Sequence, residues 1–369
     1  MGSAWATVDL DAIRHNVTSL VAHVAPAEVC AVVKADGYGH GAVPVARAAV
    51  EAGATWLAVA HVAEGQALRS GGLDVPVLLL SEPHPAMLER AADLGLHVTL
   101  FSEQGVEAAA EAARPGHPVR VHLKVDTGMH RVGVDPASVV ELAKRVDDAP
   151  GLELEALWTH LAVADEPANE FTARQLERFH HALGELDAAG FSPRVRHAAN
   201  SAGAIAHPDS RFDLVRCGIA IYGIAPSPEL AGHISLQPAM SLSARVTQVK
   251  VVPAGDALSY GLRHRFDTDT VVATVAIGYA DGVRRDLHRR GGELLLGGRR
   301  CPIVGTITMD QLMVDCGDVP VEAGDEAVLV GEQGGERITA EEVAAHLDTI
   351  GYEIVCGVGP RVERRWIGT

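Results

Sequence analysis

"VVKADGYGHG", residues 32–41, sets a lysine at the end of an apolar run and follows it with an acid, three glycines, a tyrosine and a histidine. Val29 to Val33 reads as a short strand buried on both faces, because a parallel strand covered on each side shows a continuous apolar run rather than alternation. Lys34 then stands at the C-terminal end of that strand. Gly37, Gly39 and Gly41 let the backbone turn tightly or come close to a ligand. By itself the stretch fits a strand-to-helix turn with a solvated lysine equally well, so its meaning rests on what surrounds it.

Outward from this stretch, residues 11 to 225 alternate short apolar runs with amphipathic, alanine-rich ones. The predicted strands are Val29 to Val33, Trp56 to Ala60, Val75 to Ser81, His97 to Phe101, Val119 to Val125, Leu154 to His160, Arg194 to Ala198 and Asp213 to Cys217. Helical patterns between them include Val43 to Ala52, Gln104 to Ala113, Ser138 to Asp147 and Glu170 to Ala189. About eight strand–helix units in this length is the expectation for a (β/α)8 TIM-type barrel. A doubly wound open sheet is the competing layout and usually needs fewer units. After "APSPELAGHISLQP" the texture changes to alternating Val, Thr, Leu and Gly runs, as in "TVVATVAIGYA" and "GDEAVLVGE", which predicts a mainly β C-terminal domain. The expected division is a barrel over 11–235 and a β domain over 236–369, with residues 1–10 as candidates to join the latter. Thr339 and Glu342 form a predicted capping box opening the one clear helix of that domain, with Gly351 placed to close it.

Composition limits the partners. Acidic residues outnumber Lys and Arg by 48 to 31 in 369 residues, a formal charge of −17, which disfavours nucleic acid or an anionic membrane. Five scattered cysteines without a CxxC pair argue against a disulfide framework and against a metal site, and fit the cytoplasm. No signal peptide or membrane-spanning run is apparent.

If the first region is a barrel, its chemistry gathers at the C-terminal strand ends. Lys34 ends the first strand, Lys124 the fifth in "HLKVDTGMHRVG" with Arg131 beyond it, and His160 the sixth. Asn200 and Ser201 follow the seventh in "ANSAG", and Arg216, Gly218 and Ile219 end the eighth in "VRCGIAIYG". Each alone is more often a structural residue; their joint placement is harder to dismiss. A phosphate site is expected after the last two strands, where Ser201 and the Gly218–Ile219 backbone supply donors. A phosphate together with a lysine able to bond an aldehyde suggests pyridoxal phosphate.

These strings, with "THLAVADE", "LSYG", "GYADG" and "TITMDQ" in the same order, resemble the alanine racemase family of fold-type III pyridoxal-phosphate enzymes over essentially the whole chain. The resemblance implies that Lys34 carries the cofactor and that Tyr38, His160, Asn200, Ser201, Arg216, Gly218 and Ile219 help bind it. It implies a two-base interconversion of L-alanine and D-alanine by Lys34 and Tyr260, supplying D-alanine for peptidoglycan. His160 and Arg216 would favour the phenolate of Tyr260, and Arg216, which has no acceptor, would face the pyridine nitrogen and leave it unprotonated. Arg131, Met309 and Asp310 would hold the substrate carboxylate, Lys124 would carry a carbamate orienting Arg131, and Tyr279 would line the entrance. The resemblance also implies a homodimer with active sites shared between subunits. Two departures stand out: Pro360 where relatives have a tyrosine reaching the phosphate, and Thr306 where a positive residue often precedes the "MD" pair. The open alternatives are a serine or broad-specificity racemase, a fold-type III decarboxylase, and a non-catalytic cofactor carrier.

Overall fold

The apolar runs become strands of two separate units, described here over residues 3–114 and 116–368 in a computed structural model. Residues 1, 2, 115 and 369 lie outside the described residues, and with them the ends of the two segments expected to join the β domain. One unit comprises Ala12–Gly37 and Ala42–Gln237, and the other Met1–Asp11, Tyr38–Gly41 and Pro238–Thr369.

A first strand, β1 (Ala4–Asp9), belongs to the second unit. The first unit then runs through β2 (Glu28–Val32), β3 (Trp56–Val59), β4 (Val77–Leu79), β5 (Val98–Leu100), β6 (Val119–Lys124), β7 (Leu152–Trp158), β8 (Val195–His197) and β9 (Leu214–Cys217). Parallel pairs join β4–β3–β2–β9 and β5–β6–β7–β8. The two arcs meet where Leu79 N donates to His97 O and His97 N to Val77 O, both at 2.9 Å, and where Asp213 N donates to Arg196 O at 3.1 Å. These links close the (β/α)8 barrel that the sequence spacing implies. Its strands are buried nearly throughout, which is why they read as unbroken apolar runs. The helices Ala42–Glu51, Glu103–Ala112, Val139–Asp148 and Phe171–Ala188 fall within a residue of the predicted segments.

Register fixes the upper rim. Lys124 pairs with Trp158 and Trp158 with His197, so the ends of β6, β7 and β8 stand in one row. Lys34 follows β2 by two residues, His160 follows β7 by two, and Asn200 and Ser201 follow β8.

Past Lys34 the chain makes a left-handed turn through Ala35, Asp36, Gly37 and Tyr38, at φ 52, 51, 62 and 51°. Asp36 Oδ1 accepts from Ala42 N at 2.8 Å, and Glu64 Oε1 accepts from Ala35 N at 2.6 Å. Residues 38–41 pack within the β unit: Trp366 Nε1 donates to His40 O at 2.9 Å and Arg364 Nε to Gly39 O at 3.1 Å. Gly39, at φ 81°, has no room for a side chain, since a Cβ would lie 2.5 Å from Val355 O.

The β unit is built on β10 (Met240–Val252), β11 (Ala257–Leu258), β12 (His264–Arg265), β13 (Thr270–Val275), β14 (Glu293–Leu296), β15 (Arg299–Val304), β16 (Leu312–Asp315), β17 (Glu326–Gln333), β18 (Glu336–Ile338) and β19 (Glu363–Ile367). Antiparallel pairing runs β10–β13–β16–β15–β14–β17 and returns from β17 to β10, closing a six-stranded barrel. On the outside, β1 adds antiparallel to β10 and β19 parallel to β1. The predicted capping box is only half made. Thr339 Oγ1 accepts from Glu342 N at 3.1 Å, but the Glu342 carboxylate is held by Arg300, with Nη2 to Oε2 at 3.1 Å. The helix Ala340–Leu347 ends at left-handed Asp348, and Gly351 opens a further helix, Gly351–Cys356, instead of closing the first.

Gly39→Ala is expected to destabilise the protein by about 2–4 kcal/mol, combining a left-handed penalty with steric overlap. Gly72→Ala, at φ 77° with nothing within 4 Å, should cost only about 1–2 kcal/mol. Urea unfolding midpoints compare the two; equal losses would show that the 38–41 segment is not held as described.

Candidate active site

Arg216, in β9, is buried and makes its contacts inside the barrel. Its Nη1 donates to His197 Nδ1 at 2.8 Å, while Nη2 is shared among Thr159 O at 2.9 Å, Ala198 O at 3.0 Å and His160 Nδ1 at 3.1 Å. Its guanidinium carbon lies 4.6 Å from the Trp158 ring centroid. All these acceptors are neutral. Burial lowers its pKa to about 10, so it stays a cation near neutral pH.

Lys124 ends β6 with its Nζ 4.3 Å from the Trp158 ring centroid. Burial first, then the charges of Arg216 and Arg131, pulls its pKa down to about 7 against the opposing pull of Asp126. Asp126 Oδ1 accepts from Gly128 N at 2.9 Å and His130 N at 3.1 Å, fixing the turn that leads to exposed Arg131. His160 is held well below its ordinary value by burial, then by Arg216, Lys124, Arg131 and Lys34. Arginine can only donate, so His160 Nδ1 accepts and its Nε2 carries the proton. The rim thus gathers Lys34, Arg131 and Arg216 around Lys124, close enough to influence one another, in a chain of net charge −17.

Asn200 caps the helix Ser201–Ala206, its Oδ1 accepting from Gly203 N at 2.9 Å. Ser201 Oγ accepts from Gly218 N at 2.9 Å and Ala220 N at 3.4 Å. The Gly218 N–H expected to face a phosphate is therefore engaged within the protein. What remains to donate is the Ser201 hydroxyl, oriented by its two incoming bonds, together with the Ile219 N–H that opens the same buried turn.

In the β unit, Tyr260 sits on the loop joining β11 to β12, between left-handed Ser259 (φ 63°) and Leu262 (φ 45°). Ser259 Oγ donates to Thr306 O at 2.7 Å and Thr306 Oγ1 to Tyr260 O at 2.9 Å. Thr306 is thus an inward-facing anchor of the Tyr260 loop. Tyr279 N donates to Thr308 O and Ala280 N to Met309 O, both at 3.0 Å, bringing Tyr279 to Met309 and Asp310. Asp310 Oδ1 accepts from Arg361 Nη2 at 2.8 Å. Tyr260 is 73% exposed, Leu262 64% and Met309 51%, an unusual apolar outcrop for a single loop cluster.

Sequence reading missed several residues. Tyr352, eight positions before Pro360 in "GYEIV", sets its ring 6.2 Å from that of buried Tyr38. Burial raises the Tyr38 hydroxyl pKa above its ordinary value. The interior histidines His97, His122 and His197 also escaped notice, although a histidine amid a buried-strand pattern was the available signal. Among the described residues, no group of three or more His, Cys, Asp or Glu side chains could hold a metal ion, and no helix is long and apolar enough to cross a membrane.

Two family models match the chain, the N-terminal domain of alanine racemase over residues 8–226 and its C-terminal domain over residues 239–366. An alanine racemase of Symbiobacterium thermophilum is 50% identical over 370 residues, covering 100% of this chain and 98% of the relative. Among solved structures, alanine racemase from D-cycloserine-producing Streptomyces lavendulae superposes with a TM-score of 0.95 at 40% identity, covering 100% of this chain and 98% of that one. Alanine racemase from Bacillus anthracis with bound L-Ala-P superposes with a TM-score of 0.94 at 40% identity, over 100% and 95% of the two chains. The two matched domains together run along nearly the whole sequence, and the chain therefore belongs to the alanine racemase family of isomerases.

Proposed function

We propose that this protein interconverts L-alanine and D-alanine with pyridoxal phosphate, in the cytoplasm, as a source of D-alanine for peptidoglycan. The observation that carries the proposal is the cationic strand-end row, in which Arg216 keeps its charge because only neutral acceptors hold it. The donor set fits the cofactor. Lys34 would supply an amine at a strand end, the oriented Ser201 hydroxyl and the Tyr38 hydroxyl would donate to a phosphate, and Arg216 would supply a cation for the ring nitrogen. Asn200, His160, Gly218 and Ile219 shape the same rim. Trp158 Nε1 is also buried without an acceptor among the described residues. When bound, the cofactor withdraws electrons from the α-carbon of the amino acid. As a guanidinium, Arg216 would offer no acceptor for a ring N–H, which would keep that withdrawal modest and suit reversible proton exchange.

Racemisation needs a base on each face of the α-carbon. Lys34 Nζ holds the proton on the face that gives D-alanine, and Tyr260 Oη takes the α-proton of L-alanine. His160, with Nδ1 engaged by Arg216, keeps Nε2–H as its donor end and favours negative charge on the phenol. Arg131 binds the substrate carboxylate, helped by backbone N–H groups at Met309 and Asp310 on the partner subunit's copy of this loop, since the Asp310 carboxylate only accepts and is held by Arg361, and Tyr279 narrows the approach. The exposed Tyr260 and Met309 support a homodimer in which a partner subunit's copy of this loop completes each site.

Lys124 deepens this reading. Its neutral amine adds CO2, forming an N–C bond and releasing one proton, so the side chain turns from a neutral amine into an anion that orients Arg131. With its pKa near 7, the amine is available above that pH and protonated below it, so carbamate should build up as pH rises through neutrality.

Circular dichroism on a panel of L-amino acids should show fastest loss of optical activity with L-alanine; faster loss with serine would reassign the substrate. Lys34→Ala and Tyr260→Phe should each be nearly inactive. Reassociated after mixing, about half the dimers are mixed with one intact site of two, so activity should return to about a quarter of wild type. A dead mixture with proven subunit exchange would place Tyr260 in its own subunit's site. With 13C-bicarbonate at pH 8, a carbamate signal is expected in the wild type and not in Lys124→Ala, whose activity a small carboxylate partly restores. No signal in the wild type would refute the modification.

A further inference from the structure

The interior of a (β/α)8 barrel is normally filled by branched apolar side chains, yet here three buried histidines run through it in contact. Arg216 Nη1 donates to His197 Nδ1 at 2.8 Å, His197 Nε2 lies 3.0 Å from His122 Nδ1, and His122 Nε2 lies 3.2 Å from His97 Nδ1. The first link sets the direction of all the others. A guanidinium has no acceptor, so His197 Nδ1 must be bare and its Nε2 protonated. His122 Nδ1 must then accept, leaving its proton on Nε2, and the same follows for His97. Every ring is therefore a neutral Nε2–H tautomer, and the chain points one way.

We propose that His197, His122 and His97 are positioning residues, forming a one-way hydrogen-bond chain that holds Arg216 in place as a cation. The walls of the chain are aromatic and fix the ring planes. Trp158 stacks on His197 at 5.4 Å and 9°, and Trp56 meets His97 edge-on at 4.8 Å and His122 at 5.5 Å. Burial independently favours neutral rings, with His97 brought down to about 4 and the other two well below their ordinary value. A carboxylate in the place of His197 would pair with Arg216 and cancel its field. Neutral imidazoles that polarise one another spread the charge without cancelling it. This inference rests on the reading that Arg216 faces the cofactor, but the tautomers themselves do not.

Nitrogen NMR of the 15N-histidine-labelled protein tests it. All three rings should show a protonated Nε2 and a bare Nδ1. In Arg216→Met the direction is no longer imposed, and His97, three links away, should become a mixture of tautomers. His197→Asn keeps an acceptor for Arg216 but breaks the link to His122. It should also mix the His97 tautomers and lower kcat for L-alanine less than His197→Leu does, and it decides the matter if Arg216→Met does not fold. His197→Leu, which leaves a charged donor without its acceptor, should lower kcat by about ten- to a hundredfold with a smaller change in KM. A protonated Nδ1 on His122 or His97 in the wild type, an unchanged His97 spectrum in the variants that fold, or equal kcat losses in His197→Asn and His197→Leu would overturn the proposal. Expected tautomers in a protein that racemises nothing would instead defeat the functional reading and leave the chain standing.

Discussion

A guanidinium buried without a carboxylate partner is the constraint on which the rest of the barrel rim depends. Removing such a charge from water costs several kcal/mol unless hydrogen bonds replace the lost solvation. Arg216 meets that demand with two backbone carbonyls, two imidazoles and the Trp158 face. The ends of β7 and β8 must therefore present Thr159 O and Ala198 O inward. The uncancelled charge then helps lower Lys124 and His160, so one buried cation tunes two other groups at the same rim. The row stays positive in an acidic protein, a field suited to a small ligand carrying phosphate and carboxylate groups.

The second constraint is in the backbone. Ala35, Asp36 and Tyr38 occupy left-handed conformations that cost about 1–2 kcal/mol per non-glycine residue. Asp36 and Glu64 offset part of this by accepting from the N–H groups of Ala42 and Ala35. The turn ends β2 abruptly, immediately after the residue assigned to the cofactor, and the segment it leads into is locked by Trp366 and Arg364. Strain held by surrounding contacts in this way is characteristic of functional sites.

The barrel was legible because its strands are buried on both faces and so differ plainly from the amphipathic helices between them. Strand-end lysines, histidine and arginine were legible only jointly: each alone fits a structural role, but their placement at successive strand ends of one barrel does not. The left-handed turn was only half legible. The glycines announced an unusual backbone, but Ala35, Asp36 and Tyr38 give no local sign of positive φ. The histidine chain was illegible because His97, His122 and His197 lie on three strands far apart in sequence, and only barrel closure and register bring them together. The β-unit helix ended at Asp348 rather than Gly351 because Asp also tolerates the left-handed conformation, and Glu342 left its capping box for the stronger charged bond to Arg300.

The proposed function turns on Lys34, not another lysine, as the residue that carries the cofactor. Borohydride reduction of the purified protein, followed by peptide mapping, tests it most directly. A yellow protein is expected, with its reduced adduct on the peptide containing Lys34 and its colour lost in Lys34→Ala. An adduct on Lys124 or Lys250, or a protein that takes up no pyridoxal phosphate, would contradict it.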